Sequence, residues 1–154
     1  EIMPSRGAFV TFISLQDLKD TIQLLQILEG AAARLASAKI NLSKLRVFEE
    51  KFVALQRQES PVTYEQEQKI GSKLHEFILK EAGNAKLINI SRSTREKIQA
   101  LCLASIKSPG RVPEAIREHL NIITALKKGD AEAAERAMIN HLESVYMNLV
   151  ALMT

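Results

Sequence analysis

Along most of this chain apolar residues return at steps of three and four, the pattern of helices with one buried side. The first series is Leu18, Ile22, Leu25, Leu28, Ala32 and Leu35. It follows "SLQD", where Ser14 can cap and Asp17 stands three residues later. A helix is predicted from there to about Ser37. A second runs from about Asn41 through Leu45, Phe48, Phe52 and Leu55 to a break at "RQESP". A third begins near Val62, carries Ile70, Leu74, Phe77 and Ile78, and stops at Gly83 and Asn84. The fourth spans roughly Ala85 to Ile106, with a bend expected near "NISRS". After the loop "KSPGRVP", a fifth helix has Pro113 in its first turn and ends at Gly129. Asp130 caps a sixth that continues to the C-terminus. Helices joined by such short loops pack as an antiparallel bundle, so the expected fold is all-α with six or seven helices.

The opening "EIMPSRGAFVTF" breaks this pattern. Its alternation after Pro4, Ser5 and Gly7 reads as a turn leading into a short strand. One strand is not stable alone. Residues 1–13 are therefore expected to belong to another unit, and residues 14–154 to form the helical domain. A start at Glu1 rather than methionine fits a chain whose N-terminal portion lies elsewhere.

Composition agrees with the helical reading. The chain has 154 residues, 46% hydrophobic and 25% charged, with six glycines, four prolines and no tryptophan. That suits one globular domain and leaves little material for a turn-rich β fold. A net charge of +3 is too small and scattered to argue for nucleic acid. The single Cys102 excludes an internal disulfide and, between Leu101 and Leu103, is expected to pack in the interior. No apolar run approaches bilayer length and no signal peptide is visible, so no membrane partner is expected and the location is read as cytoplasmic.

The three histidines carry the candidate chemistry. His75 lies in line with Gly71, Ile78 and Ala82 on the third helix. His119 shares a stripe with Ile116, Ile123 and Leu126 on the fifth, and His141 one with Ala134, Met138, Val145 and Leu149 on the sixth. Each therefore points inward from a different helix. Neutral imidazole is a common ligand for zinc, nickel and iron, and a bundle core is a usual place to assemble such a site. Ordinary packed histidines would give the same pattern, and spacing alone leaves both readings open. Arg92, Arg95 and Arg111 have the fork geometry that binds carboxylates, though most of them read first as solvated helix or loop residues. Lys127 and Lys128 read as an exposed face, Asn84 as a helix cap, and Met138 and Met147 as core.

Longer segments add a resemblance. "LHEFILKEAGNAKL" followed by "REHLNIITALKKGDAEAAERAMINHL" resembles the C-terminal effector domain, FCD, of GntR-family transcription regulators of the FadR type. The family's three histidines fall on His75, His119 and His141, with intervals of 44 and 22 residues. "LEGAAARLAS" is similar to the family's first helix, and "PSRGAFV" to the last strand of the winged-helix DNA-binding domain that precedes it. Six helices resemble the shorter, VanR-like version. The resemblance implies a ligand-sensing, dimerising domain. It implies a divalent metal, zinc, nickel or similar, held by His75, His119 and His141. It further implies a small carboxylate effector at those histidines with Arg92 and Arg95, a homodimer, and DNA contact through the missing N-terminal domain.

Two departures stand out. The family's aspartate one turn before the first histidine is here Gly71, which is expected to leave a gap for water or an anionic ligand. The family's arginine four residues before Glu29 is here Leu25. Two other functions are compatible with the residues: a hydrolase or hydratase using a three-histidine metal site, and a metal-free helical interaction module. Glu118, next to His119 in sequence, is not evidently placed to act as an acid or base, which weakens the hydrolase reading.

Overall fold

Helices begin here where the sequence supplies a side-chain acceptor for a free backbone N–H. Ser14 Oγ accepts from Asp17 N at 3.0 Å and starts α1, Leu15–Ala36. Asn41 accepts from Lys44 N and starts α2, Leu42–Arg57. Thr63 and Gln66 form a reciprocal capping box at the head of α3, Tyr64–Ala82. Asn84 accepts from Leu87 N at 3.1 Å at the head of α4, Ala85–Ser105. Asp130 does the same for α6, Ala131–Met153. The fifth helix, Arg111–Lys127, follows Gly110 and has no side-chain cap bond. At the end of α3, Gly83 takes φ 72°, a left-handed conformation that suits glycine and turns the chain directly into α4.

The structure is a computed structural model that describes residues 13–105 and 108–154. The strand expected near the N-terminus and the packing expected of the Cys102 side chain fall outside the described residues. Among those described, six helices and no strand are present, so the fold is an all-α bundle. No helix among them is long and apolar enough to cross a membrane. The bend expected in α4 is not a break: one helix runs through that stretch, with Thr94 Oγ1 bonded back to Ile90 O at 2.7 Å.

Packing follows from the apolar stripes. Helix α1 lies against α6, α3 and α4, while α5 packs on α6 and α2. Gln26 reaches Glu143, and Arg34 reaches Glu135 at 2.9 Å. Rising numbers on α1 thus meet falling numbers on α6, so the two are antiparallel. Leu18, Ile22, Phe52, Leu74, Ile122 and Leu126 are among the fully buried side chains. Removing each from water contributes roughly 1.5–3 kcal/mol before chain entropy is counted.

Two expectations on the apolar pattern need correction. The buried line of α1 runs Leu18, Ile22, Leu25, Glu29, Ala32 and Ala36, not through Leu28 and Leu35. Leu35 is exposed, and a glutamate takes the interior position. Met147 is exposed as well, since it sits two residues from both Val145 and Leu149 and so faces away from their stripe.

Candidate metal centre

The three histidine stripes meet in the middle of the bundle. His75 from α3, His119 from α5 and His141 from α6 are all buried, and one ligand atom from each lies within 4.8 Å of the others. Their ε nitrogens are closest: His75 Nε2 is 3.2 Å from His119 Nε2 and 3.3 Å from His141 Nε2. The ring of Phe52 stacks on His119, centroids 5.0 Å apart, and closes that side.

The outer nitrogens face acidic side chains. His75 Nδ1 lies 2.6 Å from Glu29 Oε2, and His141 Nδ1 lies 2.7 Å from Glu118 Oε2. His119 Nδ1 lies 2.9 Å from Glu67 Oε1. That third approach is close but not aligned, and neither atom makes a hydrogen bond. An imidazole whose Nδ1–H donates to a carboxyl presents the lone pair of Nε2 on its other side.

Arginines fix the carboxyls in turn. Arg95 Nε donates to Glu29 Oε1 at 2.9 Å, and its Nη2 also bonds the same carboxylate. Arg95 Nη2 and His75 Nδ1 are 3.0 Å apart; both are donors converging on Glu29. Arg111 donates to Glu118 through both Nη1, at 2.9 Å, and Nη2, at 2.8 Å, and to Glu114 at 3.0 Å. It is buried, contrary to the solvated position its loop-side sequence allowed. Arg92 is half-exposed and pairs with Glu76.

These contacts set the charge states. Burial, with the Arg95 guanidinium nearby, pushes His75 down to about 4 against the opposing pull of Glu29. Burial, together with His119, pushes His141 down to about 3, with Glu118 opposing. Burial alone would raise Glu118, but bonds from His141 and Arg111 outweigh it and bring it to about 2. Glu29 is likewise held well below the usual carboxylate range, because Arg95 and His75 outweigh the cost of burial. At neutral pH, His75 and His141 are therefore neutral and their partners ionised.

Such an arrangement fits a divalent cation. Inward lone pairs on neighbouring rings repel one another unless a positive charge lies between them. Bonds of about 2.0–2.1 Å at angles of about 90–110° need nitrogens roughly 2.8–3.4 Å apart. The two Nε2 distances fall in that range. Carboxyl groups on the outer nitrogens are the usual support for histidine ligands. A cavity of about 360 Å³ opens beside the cluster, walled by Leu25, Ile98 and Val145 and by Arg92, Arg95 and Arg111.

The turn at Gly71 lines this cavity, but the space nearest its backbone is taken up: a Cβ placed there would meet His119 Cε1 at 2.8 Å. Glu29, Glu67 and Arg111 are parts of the site whose roles sequence reading missed. One signal was available for Glu67: it stands eight residues before His75, two turns away on the same face of α3.

Comparison with known proteins bears on the domain itself. Over 153 residues the chain is 26% identical to the HTH-type transcriptional repressor RspR of Escherichia coli strain K12. It matches the uncharacterized HTH-type transcriptional regulator YdfH of Shigella flexneri to the same extent. In both cases 94% of this chain is covered and 64% of the relative, so the chain spans less than two thirds of their length. Residues 20–144 match the FCD domain. The relatives and that match, set beside the six-helix bundle, lead to one conclusion: the chain belongs to the FCD domain family.

Proposed function

We propose that this chain is the ligand-sensing and dimerising part of a transcription regulator, and that a divalent metal held by His75, His119 and His141 is the base of its sensing site. The observation that carries this reading is the convergence of the three Nε2 atoms at the wall of a partly open cavity. With three imidazole nitrogens as donors, the set favours zinc, nickel or cobalt over magnesium or calcium. When bound, the metal would supply a positive charge and free coordination positions for an anionic group.

A small organic acid is the effector class that suits the cavity. A volume of about 360 Å³ accommodates a compact molecule, and its largely apolar wall would hold a short carbon skeleton. One carboxylate would meet the histidine-bound cation. Arg92, whose pairing with Glu76 is half-exposed, is the guanidinium most readily recruited to a second acidic group; Arg95 would act through Glu29 or directly.

Residues 1–13 are assigned to the end of a preceding winged-helix unit and its linker, and residues 14–154 to the sensing domain. Regulation would follow if the acid binds one arrangement of the bundle more tightly than another and so changes how paired DNA-binding units are held. Leu24 and Ile27 on α1 and Ile90 on α4 are exposed apolar side chains that suit a two-fold contact.

The hydrolase alternative has weaker support, because Glu29 and Glu118 are each committed to an Nδ1 and an arginine. A turnover assay on any acid that binds separates the two. The decisive experiment is elemental analysis of the purified protein together with mass spectrometry of co-purified small molecules. Stoichiometric zinc or nickel with a bound carboxylic acid is expected. A metal-free protein that gains no thermal stability from zinc, nickel or cobalt would defeat the proposal.

A further inference from the structure

On α3 the spacing Glu67, Gly71, His75 puts one residue per turn on a single interior face. Glu67 and Gly71 are as buried as the histidine. Gly71 is where the helix backbone and the His119 ring come together: an added Cβ would lie 2.8 Å from Cε1 and 3.3 Å from Nε2. The same ring is stacked against Phe52. The imidazole thus touches both an aromatic face and a bare helix turn. No larger residue at position 71 would leave it there.

In that slot His119 turns its Nδ1 to within 2.9 Å of Glu67 Oε1. Both atoms are buried and neither makes a hydrogen bond. Leaving a buried donor and acceptor side by side and unjoined costs the desolvation of each. A small rotation of the ring or the carboxyl would join them. His75 and His141 already have a carboxyl in that role, in Glu29 and Glu118. His119 is the one ring of the three whose outer nitrogen is not yet joined.

We propose that Glu67 is the positioning residue of His119. Its carboxyl accepts the Nδ1–H and so selects the tautomer in which Nε2 offers its lone pair to the other two rings. Gly71 is the accompanying specificity element, because its missing side chain admits the ring to this place. The acidic group on this face of α3 therefore acts on a ligand ring rather than on the central ion, which leaves three nitrogens as the protein's donor set. The tautomer is a property of the chain itself; only its effect on metal affinity rests on the function proposed above.

Two measurements on the full chain test this. Long-range nitrogen–proton NMR of the metal-free protein reads the tautomer of each histidine. His119 is expected as Nδ1–H in the wild type, retained in Glu67→Gln, whose amide oxygen still accepts, and lost as a single form in Glu67→Ala. Cobalt titration followed by visible absorption reads affinity. Glu67→Ala should weaken it by about 10–100-fold, and Glu67→Gln by a smaller factor, since a neutral acceptor is weaker than a charged one. A wild-type His119 in the Nε2–H form overturns the proposal. So does a folded Glu67→Ala variant with unchanged tautomer and cobalt affinity. Should the alanine variant fail to fold, the wild-type tautomer and the Glu67→Gln titration decide between the same outcomes. A wild type that binds no cobalt defeats the metal reading, while the tautomer still decides the role of Glu67.

Discussion

Glu29 and His75 stand 46 residues apart in the chain, yet Glu29 Oε2 and His75 Nδ1 are 2.6 Å apart in the bundle. The pair joins α1 to α3 at the point where each helix would otherwise present an apolar side chain. A buried glutamate on an apolar stripe is costly unless it is fully engaged. Here Arg95 from α4 completes the engagement, so three helices are tied through one carboxylate.

Replacing Glu29 should therefore affect affinity and stability together. Glu29→Gln keeps the shape but removes the charge that Arg95 and His75 share. Zinc affinity is expected to fall by about 10–100-fold, the usual effect of losing support behind a histidine ligand. Stability should fall by about 1–3 kcal/mol, because polar groups remain buried with a weaker partner. Calorimetric titration and urea unfolding read the two effects. Wild-type affinity and an unchanged urea midpoint would remove Glu29 from the site.

Acid should destabilise the metal-free protein in a defined window. His75 and His141 titrate at about 4 and about 3 in the folded chain, below the 6.5 of a free imidazole. The unfolded chain therefore takes up protons first as pH falls. Their contribution to stability is complete above about pH 6.5 and is lost progressively toward pH 4 and below. Glu118 and Glu29 are also lowered, so they act in the same direction at pH values under about 4.5. The urea midpoint of chelator-treated protein should be level near pH 7 and decline from about pH 6.5 to 4. A midpoint that rises over that interval would contradict these neutral buried histidines.

Metal removal offers a third test. A ligand that binds only the folded state at about one hundred times its dissociation constant stabilises by about 2.7 kcal/mol. For a chain of this size that corresponds to a rise in Tm of roughly 5–10 °C. Zinc should give such a rise, a chelator should reverse it, and His141→Ala should abolish it. A similar rise in wild type and His141→Ala would place the bound zinc elsewhere.

The helices were legible because their boundaries are written in local chemistry. Ser14, Asn41, Asn84 and Asp130 are cap residues, and Gly83 is a stop, so each boundary is decided by a few neighbouring residues. The histidines were legible as inward-facing because each interrupts an apolar stripe. Their acidic partners were not. A two-letter reading of apolar and polar positions gives Glu29 and Glu67 the same code as a solvated glutamate such as Glu132. Only the third dimension puts Arg95 or His119 beside them. At Gly71 a missing side chain looks like space in the sequence, and only the structure shows that a ring from α5 takes up the part nearest the backbone.

The last prediction concerns association. Ile27 is 68% exposed and Leu24, three residues earlier on the same side of α1, is 41% exposed. Ile90 on α4, a helix that packs directly on α1, is 50% exposed. Single exposed apolar residues need no explanation, but several on two helices that pack together suit the kind of surface that a second copy covers. A two-fold contact would use the same surface on both copies. Two charges placed in that contact would face their own images across the axis, where like charges repel and apolar area is lost. Ile27→Glu together with Ile90→Glu should therefore convert a dimer at micromolar concentration into a monomer. Neither side chain belongs to the histidine site or the buried core, so helicity and zinc binding should persist. Light scattering reads the mass, and circular dichroism with zinc titration verifies the fold. A wild-type monomer at tens of micromolar, or a double variant that remains dimeric, would show that this surface is not the interface.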